Sequence, residues 1–230
     1  MSKTTWIIFI AIVALVFGGL IFYSQSQKNA LNVDDVNAHS VLAASEQSGN
    51  IGDRVFGNAE SKVVLVEYGD FQCPSCAGAH PTVKTVMEDY SDSVAFVFRN
   101  FPITSAHPHA KAAAAAAEAA GLQDKCWEMH DMLFERQMSW SSLSADERGT
   151  TFTNYAEEIG LNTEQFTSDL SKAEINQKIN FDLALARKTG VTGTPTFFLN
   201  GERLEGEIAS NIVQGVGTGL RTLLDQKLAE

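Results

Sequence analysis

Cys73 and Cys76, with Pro74 and Ser75 between them, are the residues of this 230-residue chain whose types and spacing most directly offer chemistry. Two thiols three positions apart can close a disulfide and exchange it with another thiol, form an inert crosslink, or supply half of a zinc site. Their position favours exchange. Pro74 suits the first turn of a helix, where its missing N–H has no partner to lose, so the pair is expected at a helix N-terminus. There the unpaired backbone N–H groups and the helix dipole favour negative charge, and Cys73 should ionise more readily than a free thiol. Cys76, one turn further along the same face, lies within disulfide reach and should be the more buried. A zinc site would need further ligands at suitable spacing. The one other cysteine is Cys126, so three cysteines exclude a multi-disulfide framework, an all-cysteine zinc site and an all-cysteine iron–sulfur cluster.

The elements that must position this pair follow from hydrophobic pattern. Residues 63–68 (VVLVEY) and 94–98 (VAFVF) are short β-branched and apolar runs suited to strands buried on both faces. Residues 74–90 between them have helical spacing, which makes a βαβ unit. An Ala-rich helix is expected over 110–120, ending at Gly121, and another over 124–137. Ser144 with Glu147 and Asn162 with Gln165 have the spacing of capping boxes, and a helix should follow each. Residues 174–188 carry an apolar stripe of Ile175, Ile179, Leu183 and Ala186. The period then changes: 196–199, the Asn200-Gly201 turn and 202–204 describe a β-hairpin, and 208–227 a last helix.

The remainder of the chain divides by composition. Hydrophobic residues make up 44%, enough for a packed domain, while 28 acidic against 17 basic residues give a net charge of −11 and argue against nucleic-acid binding. Residues 6–23 contain no charge and would span roughly 27 Å as a helix, close to a hydrocarbon core of about 30 Å. We expect a transmembrane anchor there, or an uncleaved signal, bracketed by Trp6 and Tyr23, with residues 1–5 cytoplasmic and the rest outside. Residues 24–52 are polar and without sustained period, and are expected as a tether in which His39 is solvated.

Four segments in order, VVLVEYGDFQCPSCAGAHPTVKTV, VAFVFRNFPI, KCWEMHDMLF and GVTGTPTFFLNGERLEG, closely resemble the DsbA-like thiol-disulfide oxidoreductases, over about residues 53–230. The resemblance implies an α/β thioredoxin-like fold with an inserted helical domain at about 106–188. It implies that Cys73 is the nucleophilic cysteine and Cys76 the resolving one, and that Thr194-Pro195 is a cis-proline loop beside the disulfide whose backbone pairs with substrate. Glu67 matches a buried acid beneath the disulfide, able to assist proton transfer, and Pro81 a proline within the active-site helix. Pro74 and Ser75 tune the pair; an uncharged Ser75, where strongly oxidising members have His, implies a weaker oxidant. The expected activity is an extracytoplasmic, membrane-anchored oxidase that donates the Cys73–Cys76 disulfide to exported proteins as a monomer. No cofactor beyond that disulfide and no resident metal is expected, and no calcium site can be placed from scattered acids. Reoxidation is expected from a membrane quinone-linked partner of the DsbB or vitamin K epoxide reductase type. A reductase or isomerase of the same fold, and a non-catalytic peptide-binding module, are the alternatives.

Other side chains carry weaker signals. His80 is placed to line the site or to pack in the core, and His107 and His109 flank Pro108 in a helix-start loop with no Cys or carboxylate at ligand spacing. Trp127, Met129 and Phe134 are expected in the core, and Cys126 as a buried free thiol.

Overall fold

Strand β2 (Val64–Gly69) has no solvent-facing residue, because it lies at the centre of the sheet with a neighbour on each edge. It pairs in parallel with β3 (Ala95–Asn100) and antiparallel with β4 (Thr196–Leu199). A parallel pair needs a crossover, which is α1 (Pro74–Asp89), so the expected βαβ unit is present. Two short outer strands complete the order β1-β3-β2-β4-β5: β1 (Val55–Gly57) runs antiparallel to β3, and β5 (Glu202–Arg203) antiparallel to β4. Three residues are too few to register as a hydrophobic period, and the sequence reading missed β1.

The computed structural model describes residues 31–230 together with Val13, Phe17 and Gly18. The chain divides into two units, Met1–Asn32 and Val33–Glu230. The expected anchor at 6–23 and the N-terminal residues 1–5 therefore lie outside the described residues, apart from those three positions. Among the described residues no helix is long and apolar enough to cross a membrane.

Between β3 and β4 the chain builds the helical insertion: α2 (Ala110–Gly121), α3 (Cys126–Glu135), α4 (Gln137–Trp140), α5 (Ala145–Glu158), α6 (Thr163–Asp169) and α7 (Ala173–Lys188). Ser144 caps α5 in a full capping box with Glu147, and the Asn162 side chain accepts from the Gln165 N–H at the start of α6. The helix expected over 124–137 is shorter and divided, because Asp124 adopts φ 60° and Arg136 leaves the helical region at φ −111°, ψ 23°. The last expected helix is likewise two, α8 (Gly206–Val213) and α9 (Thr218–Leu228). Gly215 sits at φ 88° between them, and a Cβ on Gly217 would come within 2.9 Å of Val86 Cγ2, so the chain needs glycine there twice.

Two apolar clusters hold the unit together. One joins the sheet to α1, α8 and α9 through Leu65, Val83, Phe96, Phe197, Ile212 and Leu220. The other fills the insertion around Ala113, Met129, Leu133, Trp140, Phe166 and Ile179, and reaches Phe71, Cys73 and Cys76. The cysteine pair thus belongs to the insertion's core as much as to the sheet.

Residues 33–52, expected as tether, are instead docked on the domain. Arg99, fully buried on β3, donates from Nη2 to the Ser40 carbonyl at 2.8 Å and to Asp53 Oδ2 at 2.6 Å, and from Nη1 to the Ala38 carbonyl. Lys178 of α7 pairs with Asp53 at 3.1 Å and Asp182 at 2.6 Å, and Lys188 donates to the carbonyls of Val33, Asp34 and Val36. Polar composition signalled solvation, but the carbonyls of Ala38 and Ser40, with Asp53, instead satisfy the buried Arg99 guanidinium, and those of Val33, Asp34 and Val36 hold Lys188. His39 is accordingly half-buried, its ring 5.0 Å from that of Phe198 and against the Asn200-Gly201 turn, rather than solvated.

Candidate active site

The loop from Asp70 to Cys73 leaves β2 and is held before α1 begins. Asp70 is 1% exposed: its backbone carbonyl accepts from the Cys73 N–H at 3.0 Å and Oδ1 from the Gln72 N–H at 2.8 Å. Its other oxygen accepts from the Ile103 N–H and meets His107 Nδ1, both at 2.8 Å. The insertion supplies the opposite wall. Gln137 Nε2 donates to the carbonyls of Phe71 at 2.8 Å and Cys73 at 3.0 Å, while Gln72 bonds the Ser141 carbonyl and the His109 N–H. Asp70, Gln72 and Gln137 were missed by the sequence reading, since a lone Asp or Gln carries no spacing signal. His107 was read as lacking a nearby carboxylate; Asp70, 37 residues away, provides it.

Cys73 is the N-cap of α1 and Pro74 its first residue, as the motif implied. Cys73 is 7% exposed and Cys76 fully buried, and both are free thiols. The Cys73 thiol lies 3.5 Å from the Thr194 carbonyl, and the Thr194-Pro195 bond is cis. The antiparallel register explains the meeting: Tyr68 of β2 pairs with Thr196 of β4, so the residues after one strand face those before the other.

Electrostatics separates the two sulfurs. A hydrogen bond from the Cys76 thiol, reinforced by Thr194 and by the backbone N–H groups of Cys76 and Ser75, holds Cys73 down at about 5 against the opposing effect of burial. Thr194 Oγ1 is buried without a partner, so its hydroxyl is available to the thiolate. Burial, then the bond to Cys73 and the Glu67 carboxyl, push Cys76 well above an ordinary thiol. Glu67, 3% exposed at the centre of β2, is raised to about 8, first by burial and then by the Cys73 charge. One nucleophile ionised at neutral pH, one protonated leaving thiol and one neutral acid near them form a set suited to thiol–disulfide exchange.

The remaining candidates lie elsewhere. Pro74, Ser75 and Pro81 are exposed along α1. His80 packs into the interface with α3, against His130 and Phe134. Met129 and Phe134 are core residues, whereas Trp127 is half-buried at the edge of a cavity, with its ring edge-on to Phe56. Cys126, expected buried, is half-buried because it faces a small cavity shared with Arg54, Glu118 and Lys178; it is a free thiol, and desolvation pushes that thiol up.

The thioredoxin family model matches residues 49–215. The chain is 40% identical over 154 residues to a Na(+)/H(+) antiporter NhaA 1 from Salinispora arenicola, a match covering 67% of this chain but only 22% of that protein's length. Among solved structures it resembles a thioredoxin-like oxidoreductase from Silicibacter pomeroyi, at 28% identity and TM-score 0.62, over 80% of this chain and 98% of the other. The alpha-DsbA1 of Wolbachia pipientis shares the fold at 21% identity and TM-score 0.65, over 77% of this chain and 91% of that one.

Proposed function

The chain belongs to the thioredoxin family, and from that premise we propose that it is a thiol-disulfide oxidoreductase that donates its Cys73–Cys76 disulfide to client thiols. The observation that carries this reading is the opposite ionisation of the two cysteines at the start of α1, beside the cis Thr194-Pro195 loop. In the forward step a client thiolate attacks Cys73 Sγ, the Cys73–Cys76 bond breaks, and Cys76 leaves with the electron pair. A thiol held that far above its usual range must be reprotonated, and the neutral Glu67 carboxyl is a proton source within the same buried region. A second client thiolate then attacks the client sulfur of the mixed disulfide and expels Cys73 as a thiolate, which its surroundings already stabilise. The client loses two electrons and the enzyme gains them. Stabilising the Cys73 thiolate stabilises the reduced enzyme and makes the oxidised form the stronger oxidant. Ser75 adds no charge to this effect, so the enzyme should be a stronger oxidant than thioredoxin and a weaker one than relatives with His between the cysteines.

The same proposal places the domain outside the cytoplasm, tethered by residues 6–23, acting as a monomer on exported proteins. A membrane quinone-linked partner of the DsbB or vitamin K epoxide reductase type would reoxidise it. The support is the uncharged eighteen-residue run and the acidic character of the rest, which suits no nucleic-acid partner. Trapping the Cys73–Cys76 pair with an alkylating agent in growing cells tests the direction. A mostly disulfide-bonded population is expected; a mostly dithiol one would move the assignment to a reductase or isomerase.

A further inference from the structure

We propose that His80, His130 and Asp131 form a binding site for a divalent first-row transition metal ion, at the interface of α1 and α3. The three residues can each offer one ligand atom, and these atoms lie within 4.8 Å of one another. His80 Nε2 is 3.7 Å from Asp131 Oδ1, which in turn is 3.1 Å from His130 Nδ1. Both histidines are 5% exposed, and the Nε2 atom of each is buried without a hydrogen-bond partner. One ligand atom from each ring thus lies close to the Asp131 carboxylate, and each ring keeps a buried nitrogen without a partner, which calls for an occupant, since buried polar atoms normally find partners.

The chemistry of the donors selects the ion. Two imidazoles and one carboxylate match zinc and its neighbours, whereas calcium and magnesium prefer sites made of oxygen. Lys84 Nζ lies 2.8 Å from Asp131 Oδ2 and 2.8 Å from Glu135 Oε1. It therefore fixes the far oxygen of Asp131 and turns Oδ1 toward the two histidines, while Glu135, 3.9 Å from His80 Nε2, offsets the Lys84 charge. A cavity of about 30 Å³ opens beside the three ligands and is also lined by Glu67, Lys84 and Trp127. That is room for an ion with a water as its fourth ligand. Zinc–ligand distances of about 2.0–2.2 Å require the side chains to close by roughly 1 Å. No metal was expected from the sequence because the donors come from two helices some fifty residues apart and form no spaced motif.

The test uses the full chain with its Cys73–Cys76 pair oxidised, so that those thiols cannot bind metal. Zinc is titrated in competition with a chromophoric chelator. One equivalent should be taken up, Cys126→Ser should bind equally, and His80→Gln and His130→Gln should bind at least about tenfold more weakly while keeping the wild-type circular dichroism. Should either histidine variant fail to fold, cobalt added to the wild-type protein should shift the imidazole proton resonances of both His80 and His130. No zinc uptake, undiminished uptake by a folded histidine variant, or unshifted imidazole resonances would overturn the site.

Discussion

Glu67 shows how one residue can be costly to the fold and useful to the chemistry. Its pKa rises from 4.5 to about 8 because β2 is buried on both faces, so the fold favours the neutral acid. A raised folded value contributes stability that is fully present below about pH 4.5 and is lost as pH climbs toward 8; at pH 7 the loss is about 3 kcal/mol. Glu67→Gln should therefore be more stable than the parent at pH 7 by up to about 3 kcal/mol, with a flatter stability profile between pH 4.5 and 8. Urea unfolding across that range checks this, and an unchanged slope would remove Glu67 from the account. Turnover should move the other way, falling about tenfold or more through loss of the proton donor. The cysteines separate by the same logic. Alkylation of reduced Cys73 should titrate near 5, whereas Cys126, half-buried with its thiol pushed up, should react far more slowly at neutral pH, and Cys126→Ser should leave turnover nearly intact. The contrast between Cys73 and Cys76 was legible in their order around Pro74. The contribution of Thr194 was not legible from spacing alone, because it arrives from 121 residues away.

Elements were legible where their signals are local. The N-caps at Ser144 and Asn162, the end of α2 at Gly121 and the Asn200-Gly201 hairpin each depend on residues within one turn of each other. Breaks that depend on a neighbour were not: Gly217 is required by Val86 of α1, and no pattern within 208–227 announces it. The docked segment 33–52 is the clearest case. Its order comes from Arg99, a buried cation on β3 that takes the carbonyls of Ala38 and Ser40, and from Lys188 at the end of α7, which takes those of Val33, Asp34 and Val36. Arg99→Met leaves Asp53 buried with one cation fewer, which should cost about 3–5 kcal/mol and open residues 33–52 to proteolysis before the domain unfolds. Limited proteolysis with mass mapping reads this out. Uniform resistance of the segment in the variant would mean that apolar contacts through Val33, Ala38 and Ile51 hold it unaided.

At the scale of the molecule, the unit beginning at Val33 includes the segment that satisfies Arg99 and Lys188. Removing residues 1–52 should give a lower thermal midpoint than removing 1–32, since the longer deletion strips the carbonyl partners of Arg99 and Lys188. Equal midpoints for the two truncations would show that the docking adds nothing. By itself the sequence determined the thiol pair, its place at a helix N-terminus, the βαβ unit and the helical character of the insertion, because each rests on residues close together in the chain. Only the tertiary structure decided how those parts act together. It brought Thr194 to Cys73 through the β2–β4 register, clamped the loop before Cys73 with Asp70 and Gln137, and gathered His80, His130 and Asp131 around one cavity. These are contacts between residues tens to more than a hundred positions apart, and burial, which sets the ionisation of every group in the site, exists only once the chain has closed around them.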